Sequence, residues 1–254
     1  LTQESVRFTF TGTTSKTIYA ITDYLGRATL PPTDLPAASY TLTADFAGNS
    51  TYLPATTGGQ SFTVTQQTID FGGGAGGLPG TLPYPQSVTF TVATNAAGQP
   101  ITVTATSTAT PSACTLTPST SSPGTYTLTA AAPGTCTVTA TAAATVTFTA
   151  VTQTRNITIT KGDQTIAFDP LLPASKTYGD APFQVSATGG DTGNPVTFST
   201  ASAACLVGPT SPPTLNAALV TIVNVGTCTI AADQAGNDYY NLGHVTQVFT
   251  ISAA

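Results

Sequence analysis

Few side chains in this sequence are suited to covalent or metal chemistry. Cys114, Cys136, Cys205 and Cys228 are the four cysteines, and His244 is the single histidine. The cysteines fall as two pairs of nearly equal spacing, and four thiols allow three disulfide pairings. No close Cys-x-x-Cys stands among them and one imidazole is a poor start for a zinc set, so thiols bonded to each other are favoured over a metal site or free buried thiols. Gly72-x-Gly74-x-x-Gly77 has the spacing of a dinucleotide fingerprint. Leu78-Pro79 and a strand follow it, with no helix start to hold a pyrophosphate, so it reads as a flexible loop. Asp45 and Asp233 fall in turns, where aspartate accepts backbone N–H groups. Asp233 with Asn237 and Asp238 offers fewer oxygens than a calcium cage gathers. His244 has no nucleophile and acid in a recognised order around it, which leaves no hydrolytic triad. The expectation is a chain that is not an enzyme and uses no cofactor or metal.

Strands must hold these residues. Ile101-Thr-Val103-Thr-Ala105-Thr, Tyr126-Thr-Leu128-Thr-Ala130, Cys136-Thr-Val138-Thr-Ala140 and Val146-Thr-Phe148-Thr alternate with period two, and helical spacing is absent. β-Branched threonine suits a pleated surface and covers the wet face of a sheet without charge, while the residues between point inward. The 19 prolines and 23 glycines of the 254-residue chain punctuate these short runs, as expected of an all-β sandwich. Only 7% of residues are charged, against roughly 25% in an ordinary soluble domain. Six Lys+Arg against 11 Asp+Glu give a net charge of −5 and no basic face for phosphates, which excludes nucleic acid as a partner. Hydrophobic residues make up 40% of the chain, enough to bury a core. No apolar run approaches the ~20 residues of a membrane-spanning helix, so no membrane insertion is expected. Leu1 opens neither a signal peptide nor a native start, and the chain reads as a piece of a longer protein.

The sequence repeats itself. Gln67-Thr-Ile-Asp-Phe71 recurs as Gln164-Thr-Ile-Ala-Phe168, Gly98-Gln-Pro-Ile-Thr-Val103 as Gly193-Asn-Pro-Val-Thr-Phe198, and Gly134-Thr-Cys-Thr-Val138 as Gly226-Thr-Cys-Thr-Ile230. Ala44-Asp45-Phe-Ala-Gly48-Asn49-Ser-Thr-Tyr52 matches Ala232-Asp233-Gln-Ala-Gly236-Asn237-Asp-Tyr-Tyr240. The chain divides accordingly into residues 1–66, 67–160 and 161–254. The two later parts are close to the ~100 residues of an immunoglobulin-like sandwich. In the first, the Gln-Thr-Ile opening and the strand after it are missing, and Val6, Phe8 and Phe10 mark the strand beside which a segment from upstream or from another chain is expected to lie. The disulfide pairing expected is Cys114 with Cys136 and Cys205 with Cys228, the one that duplication of a closed module preserves. It implies an oxidising compartment.

Gln-Thr-Ile-x-Phe, Lys176-Thr-Tyr178-Gly179-Asp180-Ala-Pro182-Phe183 and the run Gly226-Thr-Cys228 to Tyr240 resemble the bacterial immunoglobulin-like repeats of large secreted and surface proteins. Thr22-Asp23-x-x-Gly26-x-Ala28 with Ala38-Ser39-Tyr40-Thr41 resembles related modules in which an aspartate-glycine turn precedes a Gly-x-Tyr-x-Val strand, with Ala38 in the glycine's place. The middle copy departs, with glycines over 72–77 where the third has Lys-Thr-Tyr-Gly-Asp, and without Ala-Gly-Asn-x-x-Tyr. The resemblance implies tandem immunoglobulin-like β-sandwich domains at the cell surface or outside the cell, serving as stalk, spacer or adhesive parts.

Asp45, Gly48, Asn49, Tyr52, Asp233, Gly236, Asn237 and Tyr240 read as structural corners, each tyrosine tethering its turn through its hydroxyl rather than stacking on a sugar. Thr65-Gln66-Gln67 and Thr160-Lys161-Gly162-Asp163 leave little free linker, which predicts a semi-rigid rod. Sparse charge leaves the sheet edges unguarded. Self-association, with another copy or with neighbouring domains of a parent chain, is therefore the partner expected. A glycan or cell-surface protein is the alternative, in which the chain is an accessory binding module.

Overall fold

The computed structural model describes residues 3–31, 33–72 and 77–254, and every regular element in it is a strand. The first set comprises β1 (Ser5–Thr11), β2 (Lys16–Ile21), β3 (Ala38–Phe46), β4 (Ala55–Thr56) and β5 (Gln60–Val64). A middle set begins with β6 (Ile69–Asp70), β7 (Thr81–Pro83), β8 (Ser87–Thr91), β9 (Ala93–Thr94) and β10 (Thr102–Ser107). It ends with β11 (Cys114–Pro118), β12 (Thr125–Ala130), β13 (Gly134–Ala142) and β14 (Val151–Thr160). The last set opens with β15 (Ala167–Phe168), β16 (Ser175–Thr177), β17 (Phe183–Thr188) and β18 (Val196–Ser199). It closes with β19 (Cys205–Gly208), β20 (Ala217–Ile222), β21 (Gly226–Gln234) and β22 (Gly243–Ser252).

The middle and last sets share one topology. Sheet β10-β13-β14-β7 faces sheet β11-β12-β8, and sheet β18-β21-β22-β16 faces sheet β19-β20-β17-β15. In both, the second short strand of the set runs parallel to the last strand: β7 along β14, and β16 along β22. All other pairings within these sandwiches are antiparallel. This is the immunoglobulin-like arrangement of two antiparallel sheets over one core. Alternation builds that core: Cys136, Val138, Ala140 and Ala142 of β13 are buried, with half-buried or exposed threonines between them. Cys228, Ile230 and Ala232 repeat the stripe on β21. Opposite them lie Phe90 and Leu128 in the middle core, Val185 and Val220 in the last.

The first set is one sheet, not a sandwich, and this corrects the expectation there. β3 corresponds to β13 and β21, with Tyr40 where they carry Cys136 and Cys228. Its neighbours are β1 on one side and β4 and β5 on the other, while β2 extends the sheet beyond β1. Val6, Phe8 and Phe10 therefore lie on a central strand with both edges used: Phe8 pairs with Ile18 and with Ala44. No strand can add beside them. What this set lacks is a layer over the face where Phe10, Tyr40 and Val64 are buried. Leu30 and Leu35 pack over part of it. Leu35 is buried there and the Tyr40 hydroxyl donates to the Pro36 carbonyl at 3.0 Å. The ring thus fills the place that a disulfide and a second sheet occupy in the other sets.

Candidate functional site

The cysteines come together within each sandwich. Cys114 bonds Cys136 and Cys205 bonds Cys228, each with Cα atoms 5.8 Å apart. Each bridge ties the start of one sheet's edge strand, β11 or β19, to a central strand of the opposite sheet, β13 or β21, so it closes the core across its two layers. The sulfurs are buried and already bonded, and they offer no reactive thiol. Among the described residues no three His, Cys, Asp or Glu side chains gather into a metal-binding group. Gly74 of the glycine spacing lies outside the described residues.

Each set of strands carries a corner of one design. In the first, the Asn49 side-chain oxygen accepts from the N–H groups of Thr51 and Tyr52, both at 2.8 Å, and the Asn49 N–H donates to the Tyr52 carbonyl at 2.9 Å. In the last, the Asn237 oxygen accepts from Tyr239 at 2.8 Å and Tyr240 at 2.9 Å, and its N–H donates to the Tyr240 carbonyl at 3.0 Å. The middle set, where the sequence shows no such string, makes the corner from Thr145-Val-Thr-Phe148: the Thr145 hydroxyl accepts from Thr147 and Phe148. A hydroxyl replaces an amide and Phe replaces Tyr, and the turn survives because only one side-chain acceptor at its first position is needed. Gly236 is required beside it, since a Cβ there would lie 2.6 Å from the Tyr240 carbonyl.

The corners receive the incoming chain. Thr65 forms a parallel bridge with Phe148, its N–H donating to Thr147 O at 2.7 Å and its carbonyl accepting from Thr149 N–H at 3.0 Å. Gly162 does the same with Tyr240, its N–H donating to Tyr239 O at 3.0 Å and its carbonyl accepting from Asn241 N–H at 2.8 Å. A Cβ on Gly162 would collide with the Tyr84 carbonyl oxygen, so this junction needs glycine. Tyr84, in the turn after β7, lays its ring against Tyr239 and Tyr240, with centroids 5.1 Å and 5.3 Å away. The rings of the corner thus face the preceding set of strands, and the tether of the turn is Asn237 rather than a tyrosine hydroxyl. Burial, and the nearby Asp191 carboxylate and Tyr84, push the Tyr240 hydroxyl above the usual tyrosine range.

Two glutamines that sequence comparison shows only as repeat markers fasten the entering chain. Gln164 donates to the carbonyls of Gln234, Ala235 and Asn241 and accepts from the Thr192 hydroxyl at 2.9 Å. Gln67, fully buried, accepts from Thr94 at 3.1 Å and donates to the carbonyls of Thr149 at 2.8 Å and Ala143 at 3.3 Å. The counterpart of Lys176 to Asp180 in the middle set is Leu82–Gln86, not the glycines over 72–77. Tyr84 N–H donates to Thr160 O at 3.0 Å just as Tyr178 N–H donates to Ser252 O at 2.9 Å.

Asp45 and Asp233 sit at the same register of β3 and β21. Asp233 meets His244 at 2.6 Å. Asp45 accepts from the Thr56 hydroxyl and pairs with Arg7 at 3.3 Å. The Thr56 hydroxyl above all holds the Asp45 carboxyl below the usual carboxylate range; burial opposes it, and Arg7 adds to the lowering. A carboxyl lowered in the folded state contributes stability that is present above its unfolded value of about 3.9 and lost as pH falls through the lowered value. Below pH ~4 the wild-type first sheet is therefore expected to lose stability relative to Asp45→Asn, which lacks this titration. Unfolding of both proteins across an acid series checks it, and parallel curves would refute it.

An apolar cleft of about 300 Å³ opens between the apolar face of the first sheet and the middle corner, lined by Phe10, Leu30, Leu42, Phe62 and Val146. At the other end of that sheet Tyr24, Leu25, Tyr52 and Leu53 are exposed.

No protein-family model matches the chain, and no curated protein matches it in sequence. Similar solved structures include Drosophila N-cadherin EC1-4, at 13% identity over 90% of this chain and 60% of that chain, with a TM-score of 0.31. The titin domains Z1Z2 in complex with telethonin are similar at 16% identity over 68% and 91%, TM-score 0.34. Domains 4 and 5 of the S-layer protein SbsC are similar at 15% identity over 98% and 100%, TM-score 0.27. The chain spans less than two thirds of the N-cadherin fragment.

Proposed function

We propose that this chain is a non-enzymatic structural segment of a secreted or surface protein of bacterial type. Its two immunoglobulin-like sandwiches and the single-sheet module before them are bounded near residues 66 and 160 and stacked as a semi-rigid stalk or fibre. The observation that carries this reading is the junction made twice in one form. Thr65 and Gly162 each bridge to a corner residue of the next module, Phe148 or Tyr240. Only Gln66 or Asp163 then separates that bridge from the fastening glutamine. Connections this short, bonded on both sides, resist bending as free linkers do not. Two buried disulfides suit an oxidising compartment. The partly covered apolar face of the first sheet is completed by a second layer, supplied by the parent chain or a neighbouring copy.

Small-angle scattering tests the rod. Wild type is expected to scatter as one extended rigid body, and Gly162→Val, whose side chain collides with the Tyr84 carbonyl, as a bent or flexible one with both sandwiches intact. Scattering from freely jointed modules in the wild type, unchanged in the variant, would refute the reading. The alternative, an accessory module binding a glycan or protein, is favoured by one observation, the exposed Tyr24, Leu25, Tyr52 and Leu53 at one end of the first sheet. Retention on a glycan array, lost in Tyr24→Ala and Tyr52→Ala, would support it over the stalk.

A further inference from the structure

Resting on the stalk reading, we infer that the last sandwich and the first sheet each carry one half of the junction described above, so that a second copy docks head to tail with Tyr178 of one copy on the Asn49–Tyr52 corner of the next. The internal junction has a plug and a socket. The plug is Tyr84, in the turn after β7, held by its N–H on the last residue of β14 at 3.0 Å, with Gln86 N–H closing the turn onto Pro83 O at 2.8 Å. The socket is the corner from Asn237 to Tyr240, whose rings pack on Tyr84.

Both halves recur without a mate among the described residues. Tyr178 stands after β16 as Tyr84 stands after β7. Its N–H donates to the last residue of β22 at 2.9 Å, and Asp180 N–H closes the turn onto Thr177 O at 3.0 Å. It is 51% exposed, whereas Tyr84 is half-buried under the next module. The corner from Asn49 to Tyr52 reproduces that from Asn237 to Tyr240 to within 0.1 Å in its three hydrogen bonds. It lies at the end of the first sheet away from the middle module, with Tyr52 45% and Leu53 87% exposed. Thr51 O and Leu53 N–H, which correspond to the groups of Tyr239 and Asn241 that bond Gly162, have no partner among the described residues. The contact inferred is that of the tyrosine rings and not the backbone bridge.

Plug and socket are different surfaces of one chain, so the contact is heterologous, and repetition gives an open filament or a ring. One aromatic contact between separate molecules is weak, and a covalent trap reads it better than a mass measurement. Photo-oxidation that joins neighbouring tyrosines, applied to the whole chain over a concentration series, has an internal standard in the link from Tyr84 to Tyr239 or Tyr240. That link is expected at every concentration. An intermolecular Tyr52–Tyr178 link is expected to grow with concentration, and to vanish in Tyr178→Phe and in Tyr52→Phe while the internal link stays. If the internal link forms but Tyr52–Tyr178 products are no more abundant than those of the exposed Tyr24, this inference fails and the stalk stands. If the internal link is absent, the stalk fails and this inference with it.

Discussion

With Cys114 and Cys136 both replaced by alanine, the middle sandwich is expected to lose about 3 kcal/mol of stability. The bridge spans 22 residues, and closing a loop of that size removes roughly this much chain entropy from the unfolded state. Domains of this kind are stable by only about 5–15 kcal/mol, so the loss is a large fraction of the whole. The bridge also joins two sheets that otherwise meet only through side chains, with Cys136 fully buried beside Leu128 and Val138. Because the last sandwich has its own bridge, its unfolding midpoint should not move in this variant, while a reductant should weaken both. Denaturant unfolding followed by hydrogen exchange in each set of strands separates these outcomes. A loss below ~1 kcal/mol in the middle set, or an equal loss in the last, would overturn the argument.

The first sheet shows what takes the bridge's place and where sequence reasoning reached its limit. Alternating threonine and apolar residues made the strands legible, since the period of two leaves one face to bury. The repeats made the cysteine partners legible too. They left the layer order of the first set unread, because alternation says that a strand has an inner face but not which neighbours flank it. Val6, Phe8 and Phe10 alternate as an edge strand's residues would, yet β1 is flanked on both sides. Tyr40 has the repeat position of a cysteine, and only its packing under Leu35 and on Phe62 shows a ring serving as a plug for an unclosed core.

The junctions were half legible. Their shortness could be counted, but the corner at Thr145 was hidden, because what the turn demands is an oxygen in the right place and both Asn and Thr supply one. Tyr84 and Tyr178 were hidden in another way. They share neither flanking residue on the side of the turn, and the bond each makes to the end of the last strand is what equates them.

Gln234 is the strongest case of a residue without a sequence signal, since the middle copy has Ala142 in its place. Gln234→Ala is expected to destabilise the last sandwich by about 3 kcal/mol. The side chain is only 1% exposed, and its amide answers two backbone groups: the oxygen accepts from Gly190 N–H at 2.6 Å, and the nitrogen donates to Asn194 O at 2.6 Å. Removing the amide leaves two half-buried backbone groups without this partner, at roughly 1–3 kcal/mol each where water is kept out, and water reaching the cavity would recover part of that. The effect should spread to the junction. The loop that Gln234 holds carries Thr192, which bonds Gln164, and Asp191, which lies by Tyr240. Gln234→Met, of similar length and without the donor and acceptor, separates hydrogen bonding from cavity formation. It is expected to recover the packing part of the loss and none of the protection of the Gly190 amide against hydrogen exchange. Gln234→Glu does not rescue either, because its second oxygen would face the Asn194 carbonyl. A Gly190 amide that stays protected in the alanine variant would show that the loop is held by its own turns, and that Gln234 only fills space.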